Sequence, residues 1–310
     1  MYLQFCLLLQ RRTGFTMNRF RCLLTLNIEG NSHPLKMNGK KYSWQLKPQS
    51  RANRMNSREK ALLRARQLMD DYFSIGGSFP VNMRMLASLA GIMVREKYME
   101  NDQSGQLVIQ DGKITAHVNI FDPPRRQNFT IAHEIAHTLM DEFDHIQYRK
   151  KESVQDEIER LCDEVASELL LPTAEFKRLM NQHGEKLSSF KPLAKSFHAS
   201  LEAVAVKFAG CAANQNRTIL MVTDFHAAGR RDLAISGVIP LSDWDIFVPK
   251  GLSIGKERQL GDSFYQNAPF EKRMQLSLGP LQGEYLVETY PSKFQKTGKL
   301  YNKGYIMLSK

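Results

Sequence analysis

Cysteine is scarce in this chain and poorly spaced for cross-linking. Its four cysteines, Cys6, Cys22, Cys162 and Cys211, include no CxxC pair. That argues against a disulfide framework and for a reducing compartment, so a cytoplasmic location is expected. Long apolar runs are missing too. The opening stretch Met1–Gln10 is largely apolar but too short to span a bilayer. Arg11 and Arg12 follow it instead of preceding it, and no small-residue cleavage site comes after, so it does not read as a secretory signal. An interfacial anchor is the alternative for that stretch; no membrane partner is expected.

Acidic residues are in deficit: 43 Lys and Arg stand against 32 Asp and Glu, a net charge of +11. Such a balance invites a nucleic-acid partner. The first 54 residues, however, carry ten Lys or Arg and one Glu, which is +9 of the total. The basicity therefore belongs to a leader. Lys36–Ser50 is polar and unpatterned, so residues 1–54 read as a disordered leader or start-site extension, with Met17, Met37 or Met55 as alternative first residues. Beyond it, a chain of 310 residues with 42% hydrophobic content can bury a sizeable core and fill two domains.

Against these absences one stretch stands out. His133-Glu134-Ile135-Ala136-His137 sets two imidazoles one helical turn apart with a carboxylate beside the first. Chance alone produces such a pentapeptide in about one chain of this size in a hundred, so its surroundings must decide. Ile131, Ala132, Ile135, Ala136, Leu139 and Met140 recur at helical spacing. The motif therefore sits on a largely buried helix, with His133 and His137 on one face as two ligands of one ion must be. A catalytic site of this kind takes a third protein ligand.

A second helix supplies candidates. Asp156–Leu171, stopped by Pro172, has Ile158, Cys162, Val165, Ala166, Leu169 and Leu170 as its core face. Cys162 reads there as a small apolar residue. Glu157, Arg160, Glu164 and Glu168 form the solvated stripe, whereas Glu159 lies at the edge of the apolar arc with Asp163 one turn beyond. Glu159 is the candidate third ligand. Asp163 is the candidate partner for the outer nitrogen of a ligating His, fixing its ring and tautomer. The expected reaction is hydrolysis of a peptide bond, with Zn2+ held by His133, His137 and Glu159 and with Glu134 moving the proton from the attacking water to the leaving amine. A donor for the oxyanion is not assigned by any motif; His145, Tyr148 and His226 are candidates. An extended substrate is expected to pair with the edge of a strand at Ile114–Ile120.

These residues resemble the ImmA/IrrE metallo-endopeptidases. The likeness rests on Phe129-Thr130-Ile131-Ala132-His133-Glu134-Ile135-Ala136-His137, then Glu159, Cys162, Asp163, Ala166 and Leu169-Leu170-Leu171-Pro172, with Pro80-Val81-Asn82, Leu86-Ala87, Gly91-Ile92 and Val118-Asn119 as the lead-in. It runs from Met55 to Phe208. Asp163 stands where the family usually has Asn, and Val165 where it usually has Phe. The resemblance implies a zincin-like catalytic domain, a cytoplasmic enzyme, and a protein substrate that is a transcriptional repressor controlling a mobile element or a stress response.

The expected fold class is α+β. It comprises a zincin-like domain over 55–180, a helix-turn-helix-like segment over 181–213 and a mixed or mainly β domain over 214–310. In the first, helices from Ser57 to Phe73 and Pro80 to Ala90 precede strands at Ile92–Lys97, Gln106–Gln110 and Lys113–Ile120, the last two joined by an Asp111-Gly112 turn. A short helix begins at Thr173, and Phe190–Phe197 with Leu201–Ala209 have helix-turn-helix spacing. The second of that pair is apolar with a single Lys, which favours core packing over phosphate contact. Past Arg217, short apolar runs at Ile219–Val222, Leu233–Ile239, Trp244–Val248, Met274–Leu278, Tyr285–Glu288 and Tyr305–Leu308 read as strands; no phosphate loop or Cys/His cluster accompanies them. The alternatives to a peptidase are a DNA- or protein-binding transcriptional regulator with a vestigial metal site, and a toxin-antitoxin or phage-linked partner acting by complex formation.

Overall fold

The computed structural model describes residues 56–100, 103–140, 152–213, 216–227, 230–241, 243–255, 257–296 and 299–310. The leader, His145 and Tyr148 lie outside them. Helix α1 (Ser57–Ser74) opens with a capping box: Asn56 accepts from Glu59 N at 2.9 Å and the Glu59 carboxylate accepts from Asn56 N at 3.2 Å. Helix α2 (Met83–Leu89) begins later than Pro80, because Asn82 takes the cap and accepts from Met85 N.

Three strands follow, β1 (Ile92–Lys97), β2 (Gly105–Gln110) and β3 (Lys113–Asn119). Asp111 and Gly112 both have positive φ, as the two-residue hairpin turn between β2 and β3 demands. The sheet order is β1-β3-β2, with β1 parallel and β2 antiparallel to β3. This corrects one expectation. The strand at 114–120 is not an edge; β3 is hydrogen-bonded on both sides, and among the described residues β1 and β2 are the edges. The sequence displays the β2–β3 hairpin locally, but the parallel partner β1 comes from the far side of β2 in the chain, through tertiary packing.

Helix α3 (Pro124–Thr138) starts with Pro in its first turn, where the missing N–H goes unneeded. Its end is held by Arg64 of α1, which donates to Leu139 O at 2.7 Å. Helix α4 (Glu152–Leu170) lies against it. The seam is made by Ile131, Ala132, Ile135 and Ala136 on one side and Cys162, Val165, Ala166 and Leu169 on the other, all buried in one core. Alanines and a cysteine at this seam allow the helices to come close enough for polar side chains to meet across it.

Beyond Pro172 come α5 (Thr173–His183), α6 (Phe190–Ser196) and α7 (Leu201–Cys211). The α6–α7 pair is core: Phe190 packs on Phe208 and on Tyr305 at ring separations of 5.2 and 5.6 Å. Lys207, the lone Lys of α7, is ion-paired with Glu168 at 2.8 Å. Glu168 is thus no member of the solvated stripe. It also accepts from Thr173 N and Oγ1, which caps α5.

The C-terminal part is an antiparallel sheet of β4 (Arg217–Ala227), β5 (Arg230–Pro240), β6 (Glu271–Leu278), β7 (Leu281–Lys296) and β8 (Lys299–Ser309) in the order β5-β4-β8-β7-β6. Both faces of its central strands are buried. Ile219, Tyr305 and Met307 join the helical core, while Leu220, Val222, Ile306 and Leu308 join a second core. This two-sided burial explains why Ile219–Val222 and Tyr305–Leu308 read as unbroken apolar runs instead of alternating ones. The second core is roofed by α8 (Arg258–Gln266) through Leu260 and Phe264, a helix too short to stand out in the sequence. Trp244–Val248 is not a strand; Trp244 Nε1 turns back to Ile246 O at 2.8 Å. Helices and sheets together make an α+β molecule in which Arg54–Lys310 is one compact unit. Among the described residues no helix is long and apolar enough to cross a membrane.

Candidate metal centre

The α3–α4 seam brings the sequence-nominated residues together. His133 and His137, one turn apart on α3, face each other with Nε2 atoms 3.2 Å apart. From α4, Glu159 Oε2 lies 3.1 Å from His133 Nε2 and 3.7 Å from His137 Nε2. Asp163 Oδ1 meets His133 Nδ1 at 2.9 Å. His226 falls on β4, in the other sheet.

A neutral His133 donating Nδ1–H to Asp163 presents a lone pair at Nε2. That lone pair then faces the Glu159 carboxylate and His137 Nε2, which is a third acceptor in the tautomer that carries its proton on Nδ1. Converging acceptors need a cation between them, either a proton or a metal ion. The donor set and spacing fit a metal. Bonds of about 2.0–2.1 Å in a tetrahedral site put ligand atoms about 3.3 Å apart, and His133, His137 and Glu159 offer atoms at 3.1 to 3.7 Å.

The electrostatics point the same way. Burial pushes the His133 imidazole down, but the hydrogen bond and charge of Asp163, with Glu134 and Glu159 behind it, outweigh that and leave it raised. His137 is lowered by burial and by its neighbour His133, against the pull of Glu159 and Asp163. The seam therefore favours positive charge without allowing both rings to carry it. Glu134 is buried beside them at 6% exposure. Burial, opposed by His133 and reinforced by the charge of Glu159, lifts its carboxyl to about 7. A carboxylate there can both take and give a proton near neutrality.

Two neighbours escaped sequence reasoning. Cys162 is buried, as its place on the helix predicted, yet its Sγ is 3.3 Å from His137 Nδ1. Burial and the charges of Glu159, Asp163 and Glu134 push its thiol up, so it stays protonated. Its position directly before Asp163 was the available signal. Gly105, at the start of the edge strand β2, is the other. A Cβ there would press on Thr130 Cγ2 and stand 2.8 Å from Glu134 Oε1, so glycine leaves room for the buried carboxylate.

Comparison with known proteins agrees with these features. Residues 87–209 match the family model Peptidase_M78, the IrrE N-terminal-like domain, which bears out the ImmA/IrrE resemblance and spans α3, α4 and all five residues of the cluster. No curated protein matches the chain. Among solved structures, a Mycobacterium tuberculosis transcriptional regulator aligns at 18% identity over 83% of this chain and 77% of its own, with a TM-score of 0.52; at that identity the likeness is one of fold.

Proposed function

From the premise of an IrrE N-terminal-like domain at residues 87–209, we propose that this protein is a cytoplasmic zinc-dependent endopeptidase of zincin-like fold that hydrolyses a peptide bond in a regulatory protein, a transcriptional repressor. The proposed division is a catalytic domain over 55–180, a helical segment over 181–213 and a C-terminal domain over 214–310. One observation carries the reading: three lone-pair donors, His133 Nε2, His137 Nε2 and Glu159 Oε2, converge within 3.1 to 3.7 Å beside the buried carboxyl of Glu134.

Zinc held by these three would supply Lewis acidity, acidifying water and polarising the peptide carbonyl. The chain's own residues do the rest. Glu134, with its proton affinity set near neutrality, takes the proton from the attacking water and returns it to the leaving nitrogen. Asp163 holds His133 in the tautomer that leaves Nε2 free. β2, outermost in its sheet among the described residues, offers main-chain pairing to an extended substrate, and Gly105 leaves room on that strand for Glu134. DNA binding through α7 is disfavoured, since that helix is buried on one face and its Lys207 is engaged by Glu168.

The test pairs the wild-type chain with Glu134→Gln, using as substrate a repressor encoded beside this reading frame. Both proteins should hold about one zinc, and the variant should lose cleavage by about a thousandfold. Cleavage retained by Glu134→Gln would sink the proposal.

A further inference from the structure

Cys162 and Asp163 are consecutive on α4, and each meets the outer nitrogen of a different histidine: Asp163 Oδ1 is 2.9 Å from His133 Nδ1, and Cys162 Sγ is 3.3 Å from His137 Nδ1. Resting on the reading of zinc held by His133, His137 and Glu159, we propose that Cys162 is a positioning residue whose sulfur accepts the Nδ1 proton of His137 and so fixes the tautomer that leaves Nε2 free to ligate.

An imidazole that ligates through Nε2 carries its proton on Nδ1, and a buried N–H without an acceptor is costly. His137 is itself largely buried, with 15% of its side chain exposed. Its Nδ1 points into the helix seam, where Cys162 is 0% exposed, so the sulfur meets it with water excluded. Sulfur is a weak acceptor, and here weakness is useful. Asp163, with 61% of its side chain exposed, grips His133 with a charged oxygen that solvent helps to stabilise. A second carboxylate at 162 would sit unsolvated beside Glu134 and Glu159 and hold still more positive charge on the rings. A cysteine side chain at this distance orients His137 without bringing a third carboxylate into the seam. The helical geometry permits both contacts because α3 presents its two rings one turn apart while α4 crosses them with adjacent side chains.

Cys162→Ala and Cys162→Ser test this in the full-length protein, titrated with zinc against a chromophoric chelator. Alanine and serine leave nearly the same cavity, so the difference between them reads the hydrogen bond and not the packing. The expected result is about a tenfold or greater loss of zinc affinity in Cys162→Ala, most of it recovered in Cys162→Ser. Proton–nitrogen spectra of the zinc-loaded wild type should also show a slowly exchanging His137 Nδ1–H, a readout that stands even where the alanine variant fails to fold. Zinc binding by Cys162→Ala at the wild-type level, equal weakening in both variants, or a fast-exchanging His137 Nδ1–H in the wild type would overturn the role of Cys162. A wild-type chain that takes up no zinc would instead overturn the metal reading, and this inference with it.

Discussion

The α3–α4 seam and the five-stranded sheet are both buried, yet they bury opposite kinds of surface. Where the sheet meets α8, buried hydroxyls are matched: Ser263 Oγ of α8 shares a hydrogen bond with Thr289 Oγ1 of β7 at 2.8 Å, and Thr289 Oγ1 accepts from Phe270 N at 2.9 Å. The seam instead crowds two imidazoles and a carboxylate around a point and buries a second carboxylate, Glu134, whose proton affinity is far from ordinary. The difference teaches where stability and chemistry reside. A region that buries a carboxyl beside imidazoles and a second carboxylate gives up folding energy for reactivity, and an apolar core elsewhere must make up for it.

The sharpest break of this comparison would come from removing sheet core. Phe264 on α8 is fully buried in the second core, so Phe264→Ala should lower unfolding free energy by about 3–5 kcal/mol in urea melts. Zinc affinity of the still-folded protein should match wild type. A parallel loss of zinc affinity would show that the sheet shapes the site directly. Next in size is Gly105→Ala. The added methyl would meet Thr130 and Glu134 Oε1, and displacing the carboxyl by about 1 Å should reduce kcat by about a hundredfold. Overpacking against Thr130 should also cost about 1–3 kcal/mol of stability; a variant as active as wild type would remove Gly105 from the site.

These two positions also mark what could be read from sequence. His133, Glu134, His137, Glu159 and Asp163 were legible because helical periodicity alone sets which side chains share a face, and the structure gathers all five. The α+β class and most element boundaries as far as α7 followed from caps, turns and apolar period, whereas the C-terminal strands run well beyond the apolar runs that marked them. Gly105 was not legible, since its meaning depends on Glu134 arriving from another element. Cys162 was half legible: burial followed from its helix face, but the contact with His137 required the crossing of α3 over α4. The edge-strand expectation failed for the same reason, because the parallel pairing of β1 with β3 leaves no local trace. Glu168 looked solvated on a helical wheel, and only the fold reveals Lys207 and Thr173 around it.

That last contact gives a smaller effect that sharpens the comparison. Glu168 and Lys207 tie α4, which carries Glu159 and Asp163, to α7 with side chains only 22% and 11% exposed. Lys207→Met keeps the apolar stem and leaves the carboxylate with Thr173 alone, which should cost about 1–3 kcal/mol in urea melts. Adding Glu168→Gln to the same variant should restore part of it. If Lys207→Met were neutral, the ion pair would contribute no more than an exposed one.

The smallest effect is a pH dependence with two signs. Burial pushes the Glu168 carboxyl up, but the hydrogen bonds of Lys207 and Thr173 and the charge of Lys207 leave it depressed. Its contribution to stability is therefore present above the ordinary glutamate value near 4.5 and lost as pH falls through the folded value. Glu288 behaves oppositely. Burial raises it despite backbone hydrogen bonds from Ser188 and Leu187, so the folded state holds its proton more tightly than the unfolded chain does. Ionised Glu288 thus opposes folding at neutral pH, and the opposition is relieved as pH falls through its folded value toward 4.5. Since Glu134 titrates in the same direction, the informative quantity is the difference between wild type and Glu288→Gln. The variant should be more stable than wild type at pH 7 by of order one degree in Tm, with the gap closing by about pH 4.5. A gap that stayed constant with pH would mean that the amide acts through its hydrogen bonds to the backbone of Ser188 and Leu187 and that the charge of Glu288 is irrelevant.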